Sequence, residues 1–462
     1  MRVLCNLPLE CFDDRSTFAP IDLVTYGPAD RVVVDGHHYP PDVVFDPSTG
    51  TLEELLASLP NGWRPDLILI WWPDQDPLPE GLERSAVPVV AVVSDYNLTL
   101  PYTAQLWPFF DVVLVDRSGV DVLQGLGFAD VRPFVQFSFK RRDHRIHERT
   151  PRTIDVGFAG NLNPVVQRER APWLARVARL RDRGIGVDIR SGVFGDAYGR
   201  FLSSVRIGFN RSIRGEMNLR AFEVPARGAL LMIERENLEV RDFLTPGEEC
   251  VLYGDDDFES IVQSLLDDPG TIERIAAAGH RRVQSHRMGD RLRAMLDFLR
   301  ARGPGRPEST PFDRALGRGT AMLATWARGT GNVRCLLEAC RLAPNDPRPW
   351  NALGVAMLRA DPERHLRQAY DAFVRAAALS PSYAPAALNA ALLLQSSDRP
   401  DLRDRHLTEA ARRLTANATF ADLDGPLLPS VFSERAIDAS HALARAVRAG
   451  SPRPLADALL PV

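Results

Sequence analysis

The chain has 462 residues, enough for two or three domains, and its 45% hydrophobic and 25% charged content is that of an ordinary globular protein, not a disordered or fibrous one. A net charge of −4 argues against nucleic acid or an anionic membrane as partner, and the longest apolar runs fall far short of the ~20 residues that span a bilayer. Five cysteines without metal-ligand spacing, and Pro8 and Glu10 interrupting any secretory apolar stretch, predict reduced thiols in a cytoplasmic protein.

Arg2 to Leu7 reads as a buried strand, ended by Pro8. No Gly-x-Gly-x-x-Gly follows, which argues against a nicotinamide dehydrogenase. Further strands are expected at Arg31–Asp35, Asp66–Trp72, Val87–Val93, Asp111–Val115 and Val131–Val135, with helices at Leu52–Leu59 and Val120–Leu126. Strands alternating with helices make a doubly wound α/β domain, placed at residues 1–148. Ligands of such sheets gather at the carboxyl ends of strands, where Asn6, Asp74, Asp76, Ser94 and Asp95 fall. Asp95 either accepts a proton from, or orients, an attacking hydroxyl, or it caps the following segment Tyr96–Leu100. Lys140–Arg149, with His144 and His147, reads as a solvated linker in preference to a metal site.

A second α/β domain is placed at residues 152–300. It opens with the strand Asp155–Gly160, and the Gly160–Asn161 turn brings backbone close to a cleft, followed by Arg168 and Arg170. An amphipathic helix is expected over 169–183 and a strand at Val187–Arg190, leading to the loop at Ser191–Gly192. Then come the strand Arg206–Asn210, an arginine-bearing loop Arg211–Gly215, a helix from near Glu216–Asn218 to Gly228, and the apolar strand Ala229–Ile233. A helix start offers unpaired amides and partial positive charge, so Met217 and Asn218 are candidates to meet a phosphate, with Asn218 as N-cap. Arg211, Arg214 and Arg220 add guanidinium forks, and Glu223, about one and a half turns in, is placed to accept hydrogen bonds from two ribose hydroxyls. Asp74–Gln75–Asp76 and Asp255–Asp257 read as turn and helix-start residues, so no metal site is expected. Ile272–Leu299 is helical.

The Gly- and Pro-rich stretch 301–311 is the clearest boundary in the chain. Residues 312–462 read as all-α. Trp350–Asn351–Ala352–Leu353–Gly354, with Ala369, Phe373, Ala376 and Pro381 after it, resembles a tetratricopeptide repeat, and Pro344 and Pro381 lie six residues before Trp350 and Ala387 respectively. The resemblance implies helix pairs closed by a capping helix near Ser430–Arg448, and a groove for a protein or peptide, or else a brace for the rest of the chain.

Arg220–Ala221–Phe222–Glu223, Ala226–Arg227–Gly228–Ala229 and Pro246–Gly247–Glu248–Glu249 resemble the carboxy-terminal half of group-1-like glycosyltransferases, most nearly the spore-maturation-protein branch. That resemblance implies the GT-B fold, two Rossmann-like domains facing a cleft, with a nucleoside-diphosphate sugar held by the second, a UDP-sugar being favoured. It assigns Glu223 to the ribose, and Gly160, Asn161 and one of Arg168 and Arg170 to the diphosphate. It puts an aspartate, here Asp95, on the acceptor side. Many relatives carry two glutamates separated by seven residues; here six separate Glu216, the match for the donor-sugar glutamate, from Glu223. Metal-independent transfer with retention is implied, with no cofactor beyond the donor, to a protein, peptide or surface-polysaccharide hydroxyl. A non-catalytic scaffold and a nucleotide-sugar epimerase are the alternatives.

Overall fold

The computed structural model describes residues 1–11, 15–29, 39–73, 76–103, 106, 109–128, 130–139, 150–163, 166–167, 169–302, 310–324, 331–394, 398–415, 445 and 449. Outside them lie the expected strand at Arg31–Asp35, the charge run at 140–149, Asp74, Arg168, most of the 301–311 linker and the expected capping helix near Ser430–Arg448.

Unbroken aliphatic runs set the first sheet. Its strands are β1 (Arg2–Cys5), β2 (Asp22–Gly27), β3 (Val43–Val44), β4 (Leu67–Trp71), β5 (Val89–Val92), β6 (Val112–Val115) and β7 (Val131–Pro133), in the order β3-β2-β1-β4-β5-β6-β7. Its pairings are parallel, as between β4 and β5 with Ile68 opposite Val89. Helices α1 (Leu52–Ala57), α2 (Tyr96–Thr103) and α3 (Arg117–Gly125) belong to this part of the chain. The strand beside β1 is β2, which the sequence reading passed over. Its Thr25 amide and hydroxyl both donate to Asp42, and Asp42 pairs with Arg15. The carboxyl of Asp42 is held below its ordinary range; burial opposes this, and the Arg15 and Thr25 hydrogen bonds outweigh it.

The second sheet comprises β8 (Ile154–Ala159), β9 (Val187–Arg190), β10 (Val205–Phe209), β11 (Leu230–Glu234) and β12 (Val251–Tyr253), all parallel, in the order β12-β11-β10-β8-β9. Between these strands run α4 (Ala171–Arg179), α5 (Gly195–Ser203), α6 (Leu219–Ala226) and α7 (Val240–Phe243). After them come α8 (Phe258–Asp267), α9 (Pro269–Val283) and α10 (Met288–Arg302). Two apolar clusters bury the faces of this sheet. One holds Phe222, Val224, Leu231 and Ile233; the other holds Phe158, Ile207, Phe209, Met232, Tyr253 and Phe258. Burying such side chains is worth about 1.5–3 kcal/mol each. Asp255, Asp256 and Asp257 stand at the start of α8, with Asp257 as its N-cap residue, and they also pair with arginines: Asp255 with Arg176, and Asp256 and Asp257 with Arg235.

The remaining described elements are helical: α11 (Pro311–Ala324), α12 (Gly331–Leu342), α13 (Pro347–Ala360), α14 (Pro362–Leu379), α15 (Ala384–Leu393) and α16 (Pro400–Thr415). Helix α11 packs on α12, α13 on α14 and α15 on α16, while α12 meets α13 and α14 meets α15. Gly354 makes the α13–α14 contact possible, because a Cβ there would press into the Phe373 ring. Asn389 donates to Asn351 at 2.8 Å, and both are fully buried.

By compactness the chain divides into two units. One is Met1–Val44, Asp116–Ser118 and Phe134–Gly303; the other is Phe45–Val115, Gly119–Pro133 and Pro304–Val462. In the second unit α11 lies on α2, and Arg318 donates to the Pro79 carbonyl at 3.1 Å. No helix among the described residues is long and apolar enough to cross a membrane.

Candidate functional site

The expected site residues of the second sheet collect in the first unit, at the carboxyl ends of β8, β10 and β11 and at the start of α6. Asn218 caps α6, its side chain accepting from the Ala221 amide at 3.2 Å. Pro225 falls in the last turn, and Gly228, at φ +72°, takes the left-handed conformation that ends the helix.

Arg220 is buried and lies across the strand ends. Its Nε donates to the Ala159 carbonyl at 2.9 Å and its Nη1 to Asn210 Oδ1 at 3.0 Å, and it sits 4.2 Å from the Phe158 ring centroid. Gly160 has no side chain because a Cβ there would collide with this guanidinium. Arg170 is also buried. It donates to the carbonyls of Arg211 (3.1 Å) and Asn161 (3.2 Å), so it ties the turn after β8 to the loop after β10. Burial, with Arg220 nearby, lowers its pKa to about 10.

The loop from Arg211 to Met217 is held by carboxylates. Ser212 donates its amide and hydroxyl to Glu234, and Asn237 donates to Glu234 and to the Glu216 carbonyl. Glu239 accepts the amides of Met217 (2.7 Å) and Arg117 (2.8 Å). The Met217 amide, expected to face a phosphate, is therefore bonded to Glu239, and the Asn218 amide is turned to the Glu216 carbonyl at 3.1 Å. A capped helix start retains amides only where no side chain has reached them first, and here the remaining first-turn donors are those of Leu219 and Arg220.

Arg214 does not project as a free fork. Its Nε meets Asp116 Oδ2 at 3.0 Å and its Nη2 lies 3.9 Å from Glu216 Oε1, with both side chains of the Arg214–Asp116 pair about nine-tenths buried (9% and 10% exposed). Glu216 also accepts the Arg214 amide at 2.7 Å. Burial pushes the carboxyls of Glu216, Glu234 and Glu239 above the ordinary glutamate range, Arg214 offsetting part of the rise at Glu216. Arg211 is more open. It lies over the Trp173 ring at 5.1 Å, its Nη1 reaches Glu236 at 3.3 Å, and its Nε has no partner among the described residues.

Glu223 is half-buried, and its Oε2 accepts from the Tyr198 hydroxyl at 2.7 Å. Asp95 follows β5 at the start of α2, in the other compact unit. Asp116, Tyr198, Glu234 and Glu239 were absent from the sequence reading. Each acts through a partner distant in sequence, and none lies in a motif that local patterning recognises.

Residues 141–297 match a family model described as glycosyl transferase-like, so the second sheet and its helices carry that family's sequence signature. No curated protein matches the chain. The structure is similar to an alpha-glucosyltransferase in complex with UDP-glucose and DNA containing an abasic site, at 12% identity over 65% of this chain and 99% of that one (TM-score 0.44). It is similar also to Anabaena HepE in complex with UDP, at 11% identity over 66% of this chain and 100% of that one (TM-score 0.44). A third similar structure is a sucrose-phosphate synthase from Thermosynechococcus elongatus, at 13% identity over 65% of this chain and 99% of that one (TM-score 0.39).

Proposed function

We propose that the protein is a glycosyltransferase of the GT-B type, moving a sugar from a nucleoside-diphosphate sugar to an acceptor hydroxyl, with a UDP-sugar as the favoured donor. The observation that carries the reading is the coincidence of the glycosyl transferase-like signature at 141–297 with an Asn218-capped helix that follows the Arg211-bearing loop after β10 and presents Glu223 in its next turn. In this reading the diphosphate meets the Leu219 and Arg220 amides, Arg211 and the Gly160–Asn161 turn, and Glu223 receives the ribose hydroxyls. Arg170 and Arg220 shape the pocket through the carbonyls they hold. The acceptor enters beside Asp95, which accepts its proton or orients it. The leaving diphosphate is stabilised by fixed donors, without a metal or other cofactor and with retention of configuration. Domains at 1–148 and 152–300, a linker at 301–311, tetratricopeptide-like helices from 312 that hold a protein or peptide acceptor, and a cytoplasmic location belong to the same proposal.

Differential scanning fluorimetry against UDP, GDP, dTDP, CMP and ADP tests it. A ligand at a hundred times its dissociation constant stabilises its domain by about 2.7 kcal/mol. A nucleoside diphosphate that raises the melting temperature of the wild type and not of Glu223→Ala supports the donor site; no shift with any of them sinks it.

One observation favours a second reading, a nucleotide-binding scaffold without turnover: Glu216 is buried against Arg214 and accepts its amide. Release of free sugar, or transfer from the bound donor, excludes that reading.

A further inference from the structure

We propose that Trp173 is a positioning residue for Arg211, its indole holding the guanidinium in place for the phosphates of a nucleoside diphosphate. The proposal rests on the nucleotide-site reading above and adds to it a residue that acts through another.

Trp173 stands half-buried in the first turn of α4, the helix after the Gly160–Asn161 turn. Its ring is set against the apolar cluster on one face of the second sheet, T-shaped to Phe258 at 5.8 Å and tilted against Tyr253 at 5.0 Å. An indole packed in this way is a fixed surface. Two guanidinium groups lie over it, Arg176 at 4.7 Å and Arg211 at 5.1 Å from the ring centroid. They differ in what else they hold. Arg176 is paired with Asp255 and Glu259, at 2.6 Å from each. Arg211 reaches Glu236 at 3.3 Å, and that glutamate side chain is 63% exposed. Arg211 also bears on the Tyr253 phenol, where it offsets part of the rise in pKa that burial, and then Glu234, impose.

An arginine side chain is rich in rotamers, and ordering it when a ligand arrives costs affinity. Arg211 is ordered from both ends. Its carbonyl accepts from Arg170 Nε at 3.1 Å, which fixes the backbone, and its guanidinium rests on the indole. A hydrogen bond would hold the group by engaging an N–H. Stacking on an aromatic face works through the ring quadrupole and leaves the N–H groups at the guanidinium edge for other acceptors. Arg211 Nε is buried and has no partner among the described residues. Leucine in place of Trp173 would fill part of the space and offer no aromatic face, whereas tyrosine would keep one.

The test is calorimetric binding, to the full chain, of whichever of UDP, GDP and ADP binds tightest. The proteins are wild type, Trp173→Leu, Trp173→Tyr, Arg211→Ala and Trp173→Leu/Arg211→Ala, with Glu223→Ala as the control for the site. Arg211→Ala is expected to weaken binding by more than about 10-fold. Trp173→Leu should weaken it about 5- to 10-fold and Trp173→Tyr less than about 2-fold, and Trp173→Leu should add less than about 2-fold in the Arg211→Ala background. Equal weakening by Trp173→Leu with and without Arg211 would mean that Trp173 serves only the fold, and would overturn the proposal. So would wild-type affinity of Trp173→Leu, or a loss in Trp173→Tyr as large as in Trp173→Leu. Wild-type affinity of Arg211→Ala beside a weakened Glu223→Ala would overturn this proposal and leave the site reading standing. If neither of those two variants weakens binding, or no nucleotide binds the wild type, the site reading falls and takes this proposal with it.

Discussion

The buried pair between Arg214 and Asp116 makes a quantitative prediction. Side chains 9% and 10% exposed, with 3.0 Å between Nε and Oδ2, have given up most of their water. Asp116→Ala would leave the guanidinium buried without its closest carboxylate, with Glu216 Oε1 3.9 Å from Nη2. Removing one partner of a buried pair costs about 3–5 kcal/mol, and the presence of Glu216 places this case at the lower end, about 3 kcal/mol. For a unit of this size that is a fall of about 6–12 °C in melting temperature. Replacing both partners, Asp116→Ala with Arg214→Met, removes the stranded charge and should recover at least half of the loss. The assay is urea unfolding of the four members of the cycle, followed by circular dichroism. A loss below about 1 kcal/mol, the range of exposed ion pairs, would refute the assignment of a desolvated pair, as would a double variant no more stable than Asp116→Ala.

Glu216 should leave a signature in pH. Burial holds its carboxyl above the unfolded value, so the folded state binds the proton more tightly. Its contribution to stability is complete below the ordinary glutamate pKa and is lost as pH rises through the raised folded value. Glu216→Gln, compared with wild type by unfolding at stepped pH, should remove that part of the decline; parallel curves would contradict it. Gly160→Ala should destabilise the first unit by about 1–3 kcal/mol, since Arg220 is tied to Ala159 and Asn210 and cannot withdraw, and a melting temperature equal to wild type would show that it can. Gly354→Ala should cost a similar ~1–3 kcal/mol in the helical region by forcing Phe373 off α13, read as a lower melting transition. Asn389→Ala removes the donor that meets the fully buried Asn351 Oδ1 and should cost about 1–3 kcal/mol by urea unfolding, with Asn351→Leu/Asn389→Leu recovering part of it.

What could be read from the sequence is what short-range rules govern. Asn218 caps α6 because an asparagine before an apolar helix can reach the third amide, and Gly228 ends it because glycine alone enters the left-handed region without strain. Strand β11 follows from an apolar run too long to face water on either side. The partners of the site residues could not be read in this way. Arg214 meets Asp116 across 98 residues, and Glu239 takes the Arg117 amide across 122. No propensity or spacing links such pairs, and only the packing of strand ends brings them together. Arginines show the limit most clearly. In sequence, Arg170, Arg211, Arg214 and Arg220 are equivalent cations near a helix start. In the structure, Arg170 and Arg220 spend their donors on backbone carbonyls and an asparagine, and Arg214 is spent on two carboxylates. A guanidinium whose donors are already matched gains little by turning to a phosphate, because it must first break charge-assisted bonds of comparable strength. Arg211, with Nε unpartnered among the described residues and its ion pair made to a largely exposed glutamate, has the least to give up. It is therefore the arginine on which the nucleotide-site reading depends most.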